Sequence, residues 1–138
     1  MPQVRNGVKS QLCALILVLL LAVPVLAHPW SGKCVGIADG DTITVLHEGR
    51  PEKIRLYGID CPEKGQPFGT KAKLFMSAAA FGATVEIRPV TTDRYGRTVA
   101  WVSVNGANVN HELLRAGLAW WYRKYAPNDS ELEQLELQ

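Results

Sequence analysis

Sulfur and imidazole are scarce in this chain. It has three cysteines and three histidines in 138 residues, and no CxxC pair. His28, His47 and His111 stand far apart. That argues against a zinc centre, which needs several soft or borderline ligands at close spacing. A strong charge of one sign is missing as well, with 15 Lys and Arg against 13 Asp and Glu. Bulk charge therefore does not announce a nucleic-acid binder. No twin-arginine pair and no lipid-attachment pattern precede the first cysteines.

A long apolar run is present only near the start. Residues Met1 to Lys9 carry Arg5 and Lys9 without an acid, Leu12 to Val23 is almost wholly apolar, and Pro24 breaks the run. Val25-Leu26-Ala27 then offers small residues where a signal peptidase reads, so residues 1–27 are expected to form a helical signal peptide cut after Ala27. An uncleaved anchor is the alternative, although the run falls short of the roughly 20 residues a spanning helix needs. The mature domain, 28–138, is expected to be secreted or periplasmic and monomeric, touching a membrane only through the leader.

Arg5 and Lys9 leave with the leader, so the rest balances at 13 basic and 13 acidic residues. Four of the acids, Asp129, Glu131, Glu133 and Glu136, crowd the last ten residues. Polyanion binding must then come from placed arginines. Cys34 and Cys61 remain, and are expected as small buried thiols, with a disulfide as the alternative.

Beyond Lys33 short alternating runs are separated by turn signals. Cys34 to Ala38, the turn Asp39-Gly40-Asp41 and Thr42 to Leu46 read as a hairpin, with a loop from His47 to Pro51. Lys53 to Tyr57 is a third strand. Thr84 to Arg88, limited by Pro89, is the fourth, and Thr98 to Val104, closed by Asn105-Gly106, the fifth. A helix is expected over Thr70 to Phe81, with Ala72, Leu74, Phe75, Ala78, Ala79 and Phe81 as its apolar residues. Another is expected around Val109, Leu113 and Leu114 before Gly117. Ser130 with Glu133 reads as the capping box of a third helix that breaks off at Gln138, as though truncated. The fold class expected is α+β: a five-stranded Greek-key barrel of the oligonucleotide/oligosaccharide-binding (OB) type with about three helices.

The stretch "IRLYGIDCPEKGQ", Ile54 to Gln66, sets an arginine, an aspartate and a glutamate within ten positions. A solvated turn is one explanation. The other needs the Asp39–Asp41 turn to meet Asp60–Glu63 at neighbouring strand ends. Two carboxylates and a carbonyl then face one point, which suits a hard oxygen-seeking cation such as Ca²⁺. Arg55 and Arg97 each offer a planar fork for phosphate oxygens, and Glu63 is placed to orient or deprotonate a water.

Over about Gly36 to Pro127, through "DGDTITV", "IRLYGIDCPE", "DRYGRTVAWV" and "VNHELLRAGLA" in that order, the chain resembles the staphylococcal nuclease (thermonuclease) family. The resemblance implies an OB barrel that uses Ca²⁺ to hydrolyse DNA and RNA to 3′-phosphates. It implies Asp41, Asp60 and the carbonyl of Cys61 as metal ligands, with Asp39 behind them. It implies Glu63 as general base and Arg55 and Arg97 as phosphate-binding catalytic residues. Arg94, Tyr95, Arg123 and Tyr125 are implied at the nucleotide, although Arg123 replaces a family tyrosine. Cys61 replaces a threonine, and the loop Glu63 to Gly69 is shorter than in the best-known member. Trp120, Trp121 and Tyr122 could stack on bases or pack in the core. The alternative function is a non-catalytic OB module that binds nucleic acid. A structural protein stabilised by calcium is a third class, but it leaves both arginines without a task.

Overall fold

A computed structural model describes residues 27–138. The expected signal peptide thus lies outside the described residues, apart from Ala27. Five strands build the barrel: β1 (Trp30–Asp39), β2 (Thr42–His47), β3 (Arg50–Leu56), β5 (Thr84–Thr92) and β6 (Thr98–Val104). Between them β4 (Ile59–Asp60) and α1 (Gly69–Ala80) interrupt the run, and β7 (Ala107–Asn108), α2 (Val109–Arg115), β8 (Trp120–Trp121) and α3 (Ser130–Glu136) complete it. Four antiparallel pairings link β3, β2, β1, β5 and β6 in that order, and a parallel pairing of β3 with β6 closes the ring. Ile54, Arg55 and Leu56 lie opposite Thr98, Val99 and Ala100 at the closure. The described residues form the expected barrel with three helices.

Several boundaries differ from expectation, each for a non-local reason. β1 begins at Trp30, not Cys34, because Trp30–Lys33 pair with β5 while Cys34–Asp39 pair with β2. One strand serves two neighbours by bending, with register shifts between Cys34 and Gly36 and between Ile37 and Asp39. A side chain at Gly32 would place its Cβ 1.9 Å from the carbonyl oxygen of Leu46, so the bend requires glycine. The expected loop His47 to Pro51 shrinks to Glu48-Gly49, both with positive φ, which is the conformation that suits a tight hairpin. β5 runs through Pro89 to Thr92, because a register shift between Pro89 and Thr91 absorbs the missing N–H.

The helices show two further corrections. On α1 the buried stripe is Gly69, Ala72, Met76 and Ala80; Leu74 and Phe81 are 62% and 59% exposed. Gly69, Ala72 and Ala80 are small enough to let the helix approach the barrel closely, and Met76 fills the core between them. The cap of α3 is Asp129, whose carboxylate accepts from the N–H of Leu132 at 3.0 Å, in place of the expected Ser130–Glu133 box. Among the described residues Cys34 and Cys61 are free and buried.

The core is aliphatic, with Ile43, Val45, Ile54, Leu56, Val85, Ile87, Val102, Met76 and Leu113 all essentially inaccessible. One amide sits among them. Asn110 on α2 accepts from the Val102 N–H at 3.1 Å and donates to the carbonyls of Tyr57 at 2.9 Å and Ala100 at 3.3 Å. It thereby ties the exit of β3 to β6, next to the barrel closure. Asn110→Ala takes this partner from the Val102 N–H and the Tyr57 carbonyl, while the Ala100 carbonyl keeps the Tyr57 N–H at 2.8 Å, and should cost about 2–4 kcal/mol. The check is urea unfolding, where the midpoint falls at unchanged slope; an unmoved midpoint would mean that water replaces the amide.

Candidate active site

The β1–β2 turn delivers Asp41 into the protein. Gly40 needs its missing side chain for space: a Cβ would lie 2.8 Å from the Cβ of Ala72 on α1 and 3.1 Å from the Sγ of Cys61. α1 and Cys61 therefore press on the turn from outside. Asp41 is buried, and its Oδ2 accepts from the Cys61 N–H at 2.8 Å while Oδ1 accepts from the Thr42 hydroxyl at 3.0 Å. Its own carbonyl accepts from the Leu56 N–H at 2.8 Å. The β1–β2 turn, the end of β3 and Cys61 thus meet at one residue, Cys61 on its carboxylate and Leu56 on its backbone carbonyl.

Arg55 occupies the centre. Its Nη1 donates to the carbonyls of Leu56 (3.0 Å) and Ile59 (2.8 Å), and its Nη2 lies 3.1 Å from Asp60 Oδ1 and 3.5 Å from Asp41 Oδ2. The guanidinium side chain is only 13% exposed. Two carboxylates share one guanidinium, so the set keeps a net negative charge. Burial raises the Asp60 pKa, and the charge of Asp41 raises it further, while Arg55 opposes both. Burial, then Asp41, also pushes up the Cys61 thiol. Among the described residues no three His, Cys, Asp or Glu side chains converge. A cation here would complete its shell with backbone carbonyls and water, an all-oxygen set of the kind hard divalent ions accept.

Glu63 follows three residues after Asp60 and is exposed. Its loop is built by its own backbone: the Glu63 N–H donates to Gln66 Oε1 at 2.7 Å, and the Glu63 carbonyl accepts from the Gln66 N–H at 2.9 Å. The Gly69 N–H bonds the Gln66 carbonyl at 3.0 Å, and a Cβ on Gly69 would sit 1.9 Å from the Glu63 oxygen. Among the described residues no ion pair ties the Glu63 carboxylate.

Arg97 begins the approach to β6, just before Thr98, whose partner Ile54 precedes Arg55. Its Nε donates to Asp93 Oδ2 at 2.7 Å and its guanidinium lies 5.4 Å from the Tyr95 ring. Arg94 lies over the same ring at 4.8 Å and donates to the Tyr95 hydroxyl at 2.6 Å. Asp93 builds this turn by accepting also from the Tyr95 and Arg97 N–H groups. Burial alone would raise the Asp93 pKa, but these donors outweigh it and hold it low. The structure thus brings Asp41, Arg55, Asp60 and Cys61 together directly, and gathers Arg94, Tyr95 and Arg97 into a second cluster around Asp93.

Comparison with known proteins accords with this geometry. Residues 53–138 match the family model described as staphylococcal nuclease homologue. The chain is 41% identical over 130 residues to "Protein ParB" of Escherichia coli, covering 84% of this chain and 73% of that one. It is 36% identical over 143 residues to a "Micrococcal nuclease" of Shigella flexneri, with 93% and 82% covered. An "Uncharacterized endonuclease" of Escherichia coli O157:H7 is 38% identical over 111 residues, with 80% and 72% covered. This chain belongs to the staphylococcal nuclease family. Membership places it among nucleases. The matched stretch starts after Asp41, and it is the fold that returns the β1–β2 turn to the family segment carrying Asp60.

Within the family frame, the remaining residues expected at the nucleotide divide. Tyr125 is exposed, with its ring edge-on to Tyr122 at 4.8 Å and Lys124 5.3 Å from it. Arg123 is engaged by the protein, with Nη2 on Glu136 Oε2 at 2.6 Å and its guanidinium 4.4 Å from the Trp121 ring. Trp121 is core, its indole N–H bonded to the Ala126 carbonyl at 2.9 Å, whereas Trp120 is 43% exposed.

Four positioning residues escaped sequence reading: Asp93, Gln66, Gly69 and Glu136. Glu136 Oε1 accepts from the Trp121 N–H at 2.9 Å, which fastens α3 to β8, and β8 pairs Trp120 with Asp60. Asp93 was within reach, because an aspartate opening a turn with glycine three residues on is a bonding pattern sequence carries. The other three show themselves only once the loop and α3 are in place.

Proposed function

We propose that this chain is a calcium-dependent endonuclease that hydrolyses phosphodiester bonds of DNA and RNA and leaves 3′-phosphates. The observation that carries the reading is the single Arg55 guanidinium set between Asp41 and Asp60. An acid pair with only one buried positive charge suits a cation better than a phosphate alone, because bare carboxylates repel phosphate. Asp41, Asp60 and the Cys61 carbonyl would hold Ca²⁺, with Asp39 behind them. The ion, when bound, supplies positive charge against the phosphate oxygens.

The chain's own residues do the rest. Glu63, whose carboxylate has no ion pair among the described residues, takes a proton from the attacking water as that oxygen bonds phosphorus and the P–O5′ bond breaks, the 5′-oxygen leaving and taking a proton from solvent. Arg97, held by its Nε on Asp93, keeps its two terminal nitrogens for the phosphate oxygens. Arg55 spends its terminal nitrogens on the acids and carbonyls, so it fixes the acid pair and adds charge beside the phosphorane. Arg94, Tyr95 and Tyr125 line the nucleotide, and Arg123 adds positive charge from the α3 side. The mature domain works as a monomer outside the cytoplasm, after cleavage near Ala27.

The test is incubation of DNA and RNA with the protein in Ca²⁺ or in a chelator. Both nucleic acids should shorten only with Ca²⁺, and product ends should resist polymerase extension until a phosphatase removes the 3′-phosphate. Full-length strands in Ca²⁺ would overturn the reading, and retarded strands of full length would replace it with the binding module.

A further inference from the structure

Beside the acid pair runs a groove of about 350 Å³ that the proposed mechanism does not use. Its walls include Pro62, Gln66, Pro67, Phe68, Leu118 and Trp120. The two aromatic rings in it face solvent, Phe68 at 60% and Trp120 at 43% exposure. Phe68 also sits at φ 65°, a left-handed conformation that is costly for a bulky side chain. An aromatic ring held in strain and left wet gains nothing from the core.

Both walls lead straight into the site. Trp120 pairs with Asp60 across β4 and β8. Phe68 ends the loop in which Gln66 bonds the Glu63 backbone through both its side chain and its main chain. One cation completes the set: Lys71 Nζ stands 5.2 Å from the Phe68 ring. No acid lines the groove. Exposed rings with a lysine at the rim and a polar amide inside form the combination that receives a base while the backbone phosphate is neutralised.

The geometry points to this groove as a nucleobase subsite that stacks the base of a nucleotide next to the scissile phosphate between Phe68 and Trp120. It is separate from the Arg94–Tyr95 cluster of the β5–β6 turn. The assignment rests on the nuclease reading for its substrate class, and its occupant is a base of the same strand. It also gives the loop a second task, since a base seated on Pro67 and Phe68 bears on the Gln66 amide that positions Glu63.

The experiment measures binding, with hydrolysis suppressed by Glu63→Gln, of short labelled single strands in Ca²⁺ by fluorescence anisotropy. Phe68→Leu and Trp120→Leu keep apolar bulk but remove the flat ring, and each should weaken binding about tenfold or more. In the parent, one abasic sugar walked along the strand should cost a similar factor at one position, and the leucine variants should be indifferent to it. Trp120→Phe should restore most of the affinity, which a packing defect would not allow. Binding within about twofold of the parent, or equal losses on intact and abasic strands, would overturn the subsite. Cleavage by the unaltered chain is followed separately. Strands that bind as expected yet survive would leave the groove standing and remove the nuclease reading.

Discussion

Replacing Arg55 with glutamine should lower the rate of phosphodiester hydrolysis by about 10²–10³ or more and destabilise the fold by about 3–5 kcal/mol in the absence of calcium. The two effects share one cause. Arg55 is nearly buried and serves four acceptors: the carbonyls of Leu56 and Ile59 and the carboxylates of Asp41 and Asp60. Without the guanidinium, the buried Asp41 faces the half-buried Asp60 with no positive charge between them. Burial and mutual repulsion already raise the Asp60 pKa with Arg55 present, so its loss pushes that carboxyl further toward the neutral form. Added Ca²⁺ should return part of the stability, because an ion that binds only the folded state stabilises it by mass action. It should not return the rate, since the positive charge beside phosphorus is still missing. Urea unfolding with and without Ca²⁺ separates the two contributions. A variant that lost activity at full stability would show that Arg55 does not hold the acid pair.

Much of this arrangement was legible before any coordinates, because its decisive parts are local. Thr42 to Leu46 and Thr98 to Val104 alternate as half-buried strands do, and the Asp39-Gly40-Asp41 turn carries its own chemistry. The meeting of Asp41 with Asp60 was a condition of the cation reading that neighbouring strand ends of a barrel allow, and the fold sets both carboxylates on Arg55. What stayed hidden depends on partners distant in sequence. Trp30–Lys33 carry a single apolar side chain, too little to mark a strand in the sequence, and are strand because β5 lies beside them. Pro89 should stop a strand, and a bulge against β6 lets it pass. Gly40 looks like turn punctuation, yet Ala72 on α1 is what excludes a side chain there. On α1 the sequence offered larger apolar residues, but the buried face is Gly69, Ala72, Met76 and Ala80; Leu74 lies two residues, about 200° of helix, from both Ala72 and Met76 and so faces solvent, and Phe81 is the C-cap. Arg97 is similar: its residue type indicated phosphate, and only the folded turn shows Asp93 gripping its Nε.

Glu63→Gln should slow turnover by about 10²–10⁴ at saturating Ca²⁺ while leaving calcium affinity, nucleic-acid affinity and the unfolding midpoint close to those of the parent. The loop explains why the loss should be so selective. Glu63 contributes its backbone to structure, through the Gln66 amide and carbonyl bonds and the close seat over Gly69, whereas its exposed carboxylate has no ion pair among the described residues. Glutamine preserves the shape and every backbone bond, and removes only the capacity to accept a proton. A companion substitution acts from the opposite direction. Gly69→Ala keeps the carboxylate but places a Cβ 1.9 Å from the Glu63 carbonyl oxygen, so the loop must move and carry the Glu63 carboxylate from the place the proposed mechanism gives it. Turnover should fall there too, because small displacements of a positioned group cost large factors in rate. If Glu63→Gln turned over as fast as the parent, the base would have to be another group. If Gly69→Ala alone were slow, the loop would matter for a reason other than Glu63. Loss in both, with calcium still bound, leaves proton transfer from water at a positioned carboxylate as the step they share.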